Sequence, residues 1–185
     1  MKVKEVIVAA AELIGDEAVK RVQAYLDGGE GDGELLATAL LSCYNGVEVD
    51  LAVNYLPLKK EEGLETDTGA VTYASLTESA LHIVRVTDEW GLSVRFDCYA
   101  NYFKARVGKL FVTYTYSPKE KGLEEEVECH RLAGKRLLAY GVAAEYCLKE
   151  GLYDEAAVWE KKYKDAVNVA YKGEPCRRVK GRNWS

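Results

Sequence analysis

Two histidines and five cysteines are the residues of this 185-residue chain best suited to nucleophilic or metal chemistry. His82 falls in a strand-patterned segment, and its neighbours give it no obvious partner. His130 follows Cys129 directly. A catalytic Cys–His pair is close in space and apart in sequence, because adjacent side chains point in different directions. There is no G-x-S-x-G, no H-E-x-x-H and no zinc-ligand spacing. Cys43, Cys98, Cys129, Cys147 and Cys176 are odd in number and include no C-x-x-C pair, which reads as reduced thiols of a cytoplasmic product. The glycine-rich run 27–33 is acidic and lacks the Gly-Lys-Ser/Thr ending of a phosphate loop, and its carboxylates lack EF-hand spacing. Glu124, Glu125 and Glu126 read as a solvated stretch leading into a helix. Tyr99, Tyr102, Tyr114 and Tyr116 could stack on bases or sugars, or pack on a sheet surface or at a protein interface. The expectation is a chain with no catalytic, metal or cofactor-binding residues, and not an enzyme.

The elements around these residues follow from periodicity. The stretch from Cys129 to Tyr171 has the pattern of two helices broken near Gly151. Leu137, Tyr140, Gly141, Ala144 and Leu148 share one face of the first; Ala156, Trp159, Tyr163, Ala166 and Ala170 share one of the second. Gly134, Gly141 and Ala144 let a partner helix come close. Gly151 suits the left-handed residue that ends a helix, and the short link makes the pair antiparallel. Tyr140, Trp159 and Tyr163 are the residues expected to carry helical or inter-subunit packing. Upstream, the spacing predicts helices over 3–14 and 16–26, and a long third helix from Asp32 to about Tyr55. Leu36, Leu40, Cys43, Val47 and Leu51 mark the buried face of the third, and Pro57 stops it.

Between Pro57 and Pro118 the period changes to two. Strands are predicted at 81–87, 92–98, 101–107 and 110–116, with weaker ones at 56–61 and 70–76. Hairpins at Asp88–Gly91 and Gly108–Lys109 would join them into a sheet of five or six strands, mostly antiparallel. The predicted class is α+β. A helical body comprises 1–55 (three helices) and 123–171 (the hairpin), with a β-rich insertion at 56–122 and a basic tail at 172–185.

The net charge is −5, and it is unevenly spread. The last fourteen residues hold five basic groups and one acid, which leaves −9 on the first 171. Such a tail either meets an acidic surface or is a disordered end. Lys4 and Glu5 interrupt the first apolar stretch, so no signal peptide is expected. The longest uninterrupted apolar run, Val6–Ala11, is far too short to span a membrane, and no membrane partner is expected.

The layout resembles a known group. Helices come first. A strand-rich segment starts after Leu56-Pro57 and ends in the aromatic run from Tyr114 to Pro118. A closing hairpin follows, with Ala144–Cys147 in its first helix and Lys161, Lys162 and Tyr163 in its second. This is similar to the head-to-tail adaptor proteins (neck or connector, tail-tubular-protein-A-like) of tailed bacteriophages and prophages. The resemblance covers nearly the whole chain in layout, and its sequence likeness sits in residues 137–167. It implies a structural virion protein of the neck, made in the host bacterial cytoplasm. Copies would form a ring below the portal protein, twelve-fold when assembled, and the free chain would be either a monomer that assembles on its portal or already associated. The ring would extend the DNA channel towards a downstream neck or tail protein, and DNA would pass without specific binding. The tail, with Arg177, Arg178, Lys180, Arg182 and Trp184, would dock on the portal.

Rival readings are another neck or tail-completion protein, a helical-hairpin interaction module unrelated to phage, and a small-ligand domain with a pocket near His82, Cys98 and Tyr114. The hairpin is similar to half of a tetratricopeptide unit, but no second copy recurs at a matching period.

Overall fold

The computed structural model describes residues 1–29 and 31–172. The fold is α+β, with helices at both ends of the chain and antiparallel sheet between them. The helices are α1 (Val3–Ile14), α2 (Asp16–Leu26), α3 (Asp32–Asp50), α4 (Lys135–Lys149) and α5 (Tyr153–Lys172). The strands are β1 (Leu58–Thr66), β2 (Ala70–Thr72), β3 (Ala80–Asp88), β4 (Asp97–Cys98), β5 (Tyr102–Lys104) and β6 (Gly108–Tyr116). Two compact units emerge. Among the described residues, one comprises 1–47, 122–126 and 131–172; the other comprises 48–121 and 127–130.

In the helical unit, α1 buries Val3, Val6, Ile7, Ala10 and Ala11, and packs against α2 and α4. The N-terminal N–H groups of a helix have no partner within it. Here the backbone of Val3 donates to the Glu125 carbonyl at 3.0 Å and that of Lys4 to the Leu123 carbonyl at 2.9 Å. Glu124 is paired with Lys2 at 2.9 Å and Lys4 at 2.7 Å, which lower its carboxyl to about 2. The triple glutamate is therefore not a helical approach: it is a strap over the start of α1, and α4 begins only at Lys135.

Helix α3 buries Leu36, Leu40, Cys43, Val47 and then Leu51, the predicted face. Its last turn widens into a π-helical turn, Leu51–Tyr55, closed by the Leu56 N–H donating to the Leu51 carbonyl at 2.7 Å. Among the described residues, the continuous helix Asp32–Tyr55 is long and apolar enough to cross a membrane. Half of its apolar window is buried inside the fold, as in a core helix. The uninterrupted apolar run was the wrong measure of this segment, because its polar residues are spaced through it.

The β unit differs from the expected single sheet. It has two three-stranded sheets, in the orders β1-β6-β3 and β2-β5-β4. All pairs are antiparallel. One apolar cluster takes Val86, Leu110, Val112 and Tyr114 from the first sheet, Val71 and Phe103 from the second, and Leu76 and Val94 between strands. The predicted hairpin at Gly108–Lys109 does not pair: β5 joins the second sheet, while β6 lies between β1 and β3. The predicted strand 92–98 forms only at its end, Asp97–Cys98. The chain turns at Asp88–Leu92, pairs briefly with β3 through two bonds, from the Asp88 N–H to the Leu92 carbonyl (3.0 Å) and from the Val94 N–H to the Val86 carbonyl (2.9 Å), and then leaves β3. Only Asp97–Cys98 re-enters a sheet, beside β5. The alternation was real at Val94, which is buried, whereas Leu92 and Cys98 are exposed.

Candidate interaction surface

The hairpin of α4 and α5 positions the most distinctive side chains of the helical unit. Its turn is set by Gly151, with φ of +78°, where a side chain would be strained. The Leu152 N–H reaches the Cys147 carbonyl at 2.8 Å and the Gly151 N–H the Leu148 carbonyl at 3.2 Å. This paired closure satisfies the last carbonyls of α4 and reverses the chain. The helices can approach because Gly141 has no side chain. A Cβ there would lie 2.7 Å from Val47 Cγ1 and 3.0 Å from the Tyr163 ring. Tyr163 is buried at this crossing, so it packs helices within one chain.

Tyr140 and Trp159 stand on the flank of the hairpin. Their rings stack at 6.0 Å between centroids and 17° between planes. The Lys162 ammonium lies 4.2 Å from the Trp159 centroid and 5.9 Å from that of Tyr140. The Arg136 guanidinium lies 5.5 Å over Tyr140, and its Nε donates to the Tyr140 hydroxyl at 2.5 Å. Cations over aromatic faces gain about 0.5–1 kcal/mol at exposed sites, enough to hold the cluster in place without burying it. Beside it runs an open groove of about 570 Å³ lined by Leu132, Leu137, Tyr140, Lys162, Asp165, Ala166, Val169 and Ala170. The surface is apolar inside and charged at its edge, the composition of a protein-contact patch. The alternation of Tyr140 and Trp159 was legible in the sequence. Lys162 was named there only for the resemblance and Arg136 not at all, although Arg136 stands four residues from Tyr140 and Lys162 three from Trp159, the spacing of helical neighbours.

The remaining sequence candidates fall apart in space. His82 is exposed on β3, Cys98 is exposed on β4, and Tyr114 lies in the β core, so these three do not converge. Cys129 is half-buried; burial, with Glu48 adding to it, pushes its thiol up to about 11, and it is not a thiolate near neutral pH. Among the described residues, no group of three or more His, Cys, Asp or Glu side chains is placed to hold a metal ion. Arg177, Arg178, Lys180, Arg182 and Trp184 lie outside the described residues.

The four tyrosines separate into two roles. Tyr99 and Tyr102 stack at 4.7 Å and 13° beside the β4–β5 turn, partly exposed. Tyr114 and Tyr116 turn inward to carboxylates that the sequence did not single out. The Tyr114 hydroxyl donates to Glu62 at 2.5 Å and accepts from the Glu78 N–H at 3.3 Å. Lys60 bridges Glu62 and Glu78 at 3.4 and 3.3 Å, and Lys119 reaches Glu78 at 2.9 Å. Burial and the Glu62 carboxylate push the Tyr114 hydroxyl up to about 12. For Glu62, the cost of burial is outweighed by hydrogen bonds from Tyr114, Thr77 and Lys60, and its carboxyl sits below the ordinary value. Tyr116 donates to Glu128 at 2.8 Å, and Lys121 holds the Glu128 carboxyl down. Each of these carboxylates is matched by at least one cation, which ties strands together and favours the charged form.

Comparison with known protein families and with curated proteins gives no match to this chain.

Proposed function

We propose that the protein is a structural subunit of a head-to-tail adaptor ring in a tailed bacteriophage or prophage. The observation that carries the reading is the face of the α4–α5 hairpin, where, among the described residues, the Tyr140–Trp159 stack borders an open apolar groove. A ring subunit needs such a face, because each copy must bury a patch against its neighbour. The order of elements, helices then sheet then a helical hairpin, agrees with the resemblance. The acidity of the first 171 residues also supports it. A channel wall that does not neutralise phosphates adds little salt-dependent affinity and lets duplex DNA slide. In this reading the segment 173–185 docks on the portal through its basic groups and Trp184, an arrangement in which an aromatic anchor supplies most of the binding.

Electron microscopy of the cognate portal mixed with this protein tests the reading. The expected result is an added ring of density with the full chain. A chain ending at Lys172 should lose that ring if the last thirteen residues dock. A portal that gains no density from the full chain contradicts the adaptor role.

A further inference from the structure

The helical unit carries a second exposed feature that complements the groove. Leu35, in the first turn of α3, is 73% exposed, an unusual position for a leucine beside the buried Leu36. Asp32 and Glu34 flank it, both exposed. Arg21 takes up Asp32 at 4.0 Å, which leaves Glu34 as the acid next to the leucine. The groove offers the reverse: apolar Leu137, Ala166 and Val169, the last also 73% exposed, with Lys162 on its lining and Arg136 over Tyr140. Asp165 also lines the groove, beside Lys162, while Arg136 stands over Tyr140 outside the lining.

The two features lie at opposite ends of the unit. Gly141 of α4 faces Val47 of α3, while Glu145, Leu148 and Lys149 share a hollow with Ser42, Cys43 and Gly46. Helix α3 therefore runs antiparallel to α4, and its first turn points past the C-terminal end of α4. The groove is at the other end, where α5 returns beside Leu137 and Tyr140. Leu35 and Val47 are twelve residues apart, about 18 Å along a helix. A single chain does not bring the two together, but two copies stacked head to tail do.

We propose that the groove between α4 and α5 receives the first turn of α3 from a second copy of this chain, with Leu35 entering among Leu137, Ala166 and Val169 and Glu34 meeting Lys162. Such a contact is heterologous: each copy presents both halves, so repetition gives a closed ring or an open filament. It deepens the adaptor reading and rests on it for the ring, while the contact itself needs no portal.

Sedimentation velocity on the full chain tests it. The wild-type chain is expected to associate with rising concentration. Glu34→Lys alone and Lys162→Glu alone should each weaken association at least about tenfold, by placing like charges across the contact. An equimolar mixture of the two variants should regain wild-type association, since every contact then pairs a lysine with a glutamate. Leu35→Ser, at an exposed position that folding does not depend on, should weaken it too and is unaffected by charge. A wild-type chain that stays monomeric to about 1 mM, where any Kd worth a few kcal/mol would show, overturns the contact. So do charge variants that associate like wild type, or a mixture that regains nothing. A chain that stays monomeric yet rings its portal would remove this contact and keep the adaptor. A chain that associates as expected yet ignores its portal would do the opposite.

Discussion

Asp88 shows how a single carboxylate fixes a loop. Its side chain is 3% exposed and accepts hydrogen bonds from the Trp90 N–H at 3.0 Å, the Leu92 N–H at 2.8 Å and Arg106 at 2.9 Å. Asp88→Ala removes the acceptor from two backbone donors and from one half-exposed cation. The expected loss is about 2 kcal/mol by urea unfolding, from the cost of donors left unmatched. Asp88→Asn keeps one acceptor oxygen and should lose about half as much. Tyr114 makes a different argument, through pH. Its hydroxyl is pushed up to about 12 in the fold, above the ordinary tyrosine value of about 10. A raised value means the folded chain holds the proton more tightly, so this stabilisation is complete below pH 10 and is lost as pH rises towards 12. Thermal melts should show the loss over that window, and Tyr114→Phe should reduce it, leaving the part carried by the likewise raised Tyr116 and Cys129. The same substitution at neutral pH should cost about 1 kcal/mol, the net worth of a typical hydrogen bond. An unchanged alkaline limb would contradict the assignment of the proton to Tyr114.

At the scale of elements, the hairpin rests on two glycines with different jobs. Gly151 is needed for its backbone, and Gly151→Ala should destabilise by about 1 kcal/mol, the strain of a left-handed residue with a Cβ. Gly141 is needed for space. Gly141→Ala gains up to about 1 kcal/mol of helix propensity and loses about 1–3 kcal/mol to overpacking, so the net effect is destabilising. Because the clash is with Val47, a double-mutant cycle with Val47→Ala should return a favourable coupling of about 1 kcal/mol. Additive effects would show that the neighbours shift instead. Helix α3 was legible because Leu36, Leu40, Cys43, Val47 and Leu51 repeat with the helix period and are all buried. Strand β1 was only half legible. Its inward positions include Lys60 and Glu62, which read as surface residues until Tyr114 and Glu78 supply their partners. The second sheet was hidden for another reason. Strands of two or three residues, as in β2, β4 and β5, carry too few alternations to show a period.

At the scale of the molecule, the α+β class and the helix-sheet-helix order could be read from the change of period at Pro57 and Pro118. The division of strands between two sheets could not, because pairing β6 between β1 and β3 is decided by contacts distant in sequence. The candidate surface was legible in part. Tyr140 and Trp159 stood on predicted faces, but the groove beside them exists only once α5 folds back on α4. The proposed assembly also makes a salt-dependent claim. If Glu34 meets Lys162 between copies, self-association should weaken as ionic strength rises, because rim charges are screened beyond about 10 Å at 0.1 M salt. The adaptor role itself turns on one image: the portal with the full chain added, seen end on by electron microscopy. A continuous ring of added density around the portal channel is the result this account predicts. A portal without added density contradicts it, whatever the chain does alone.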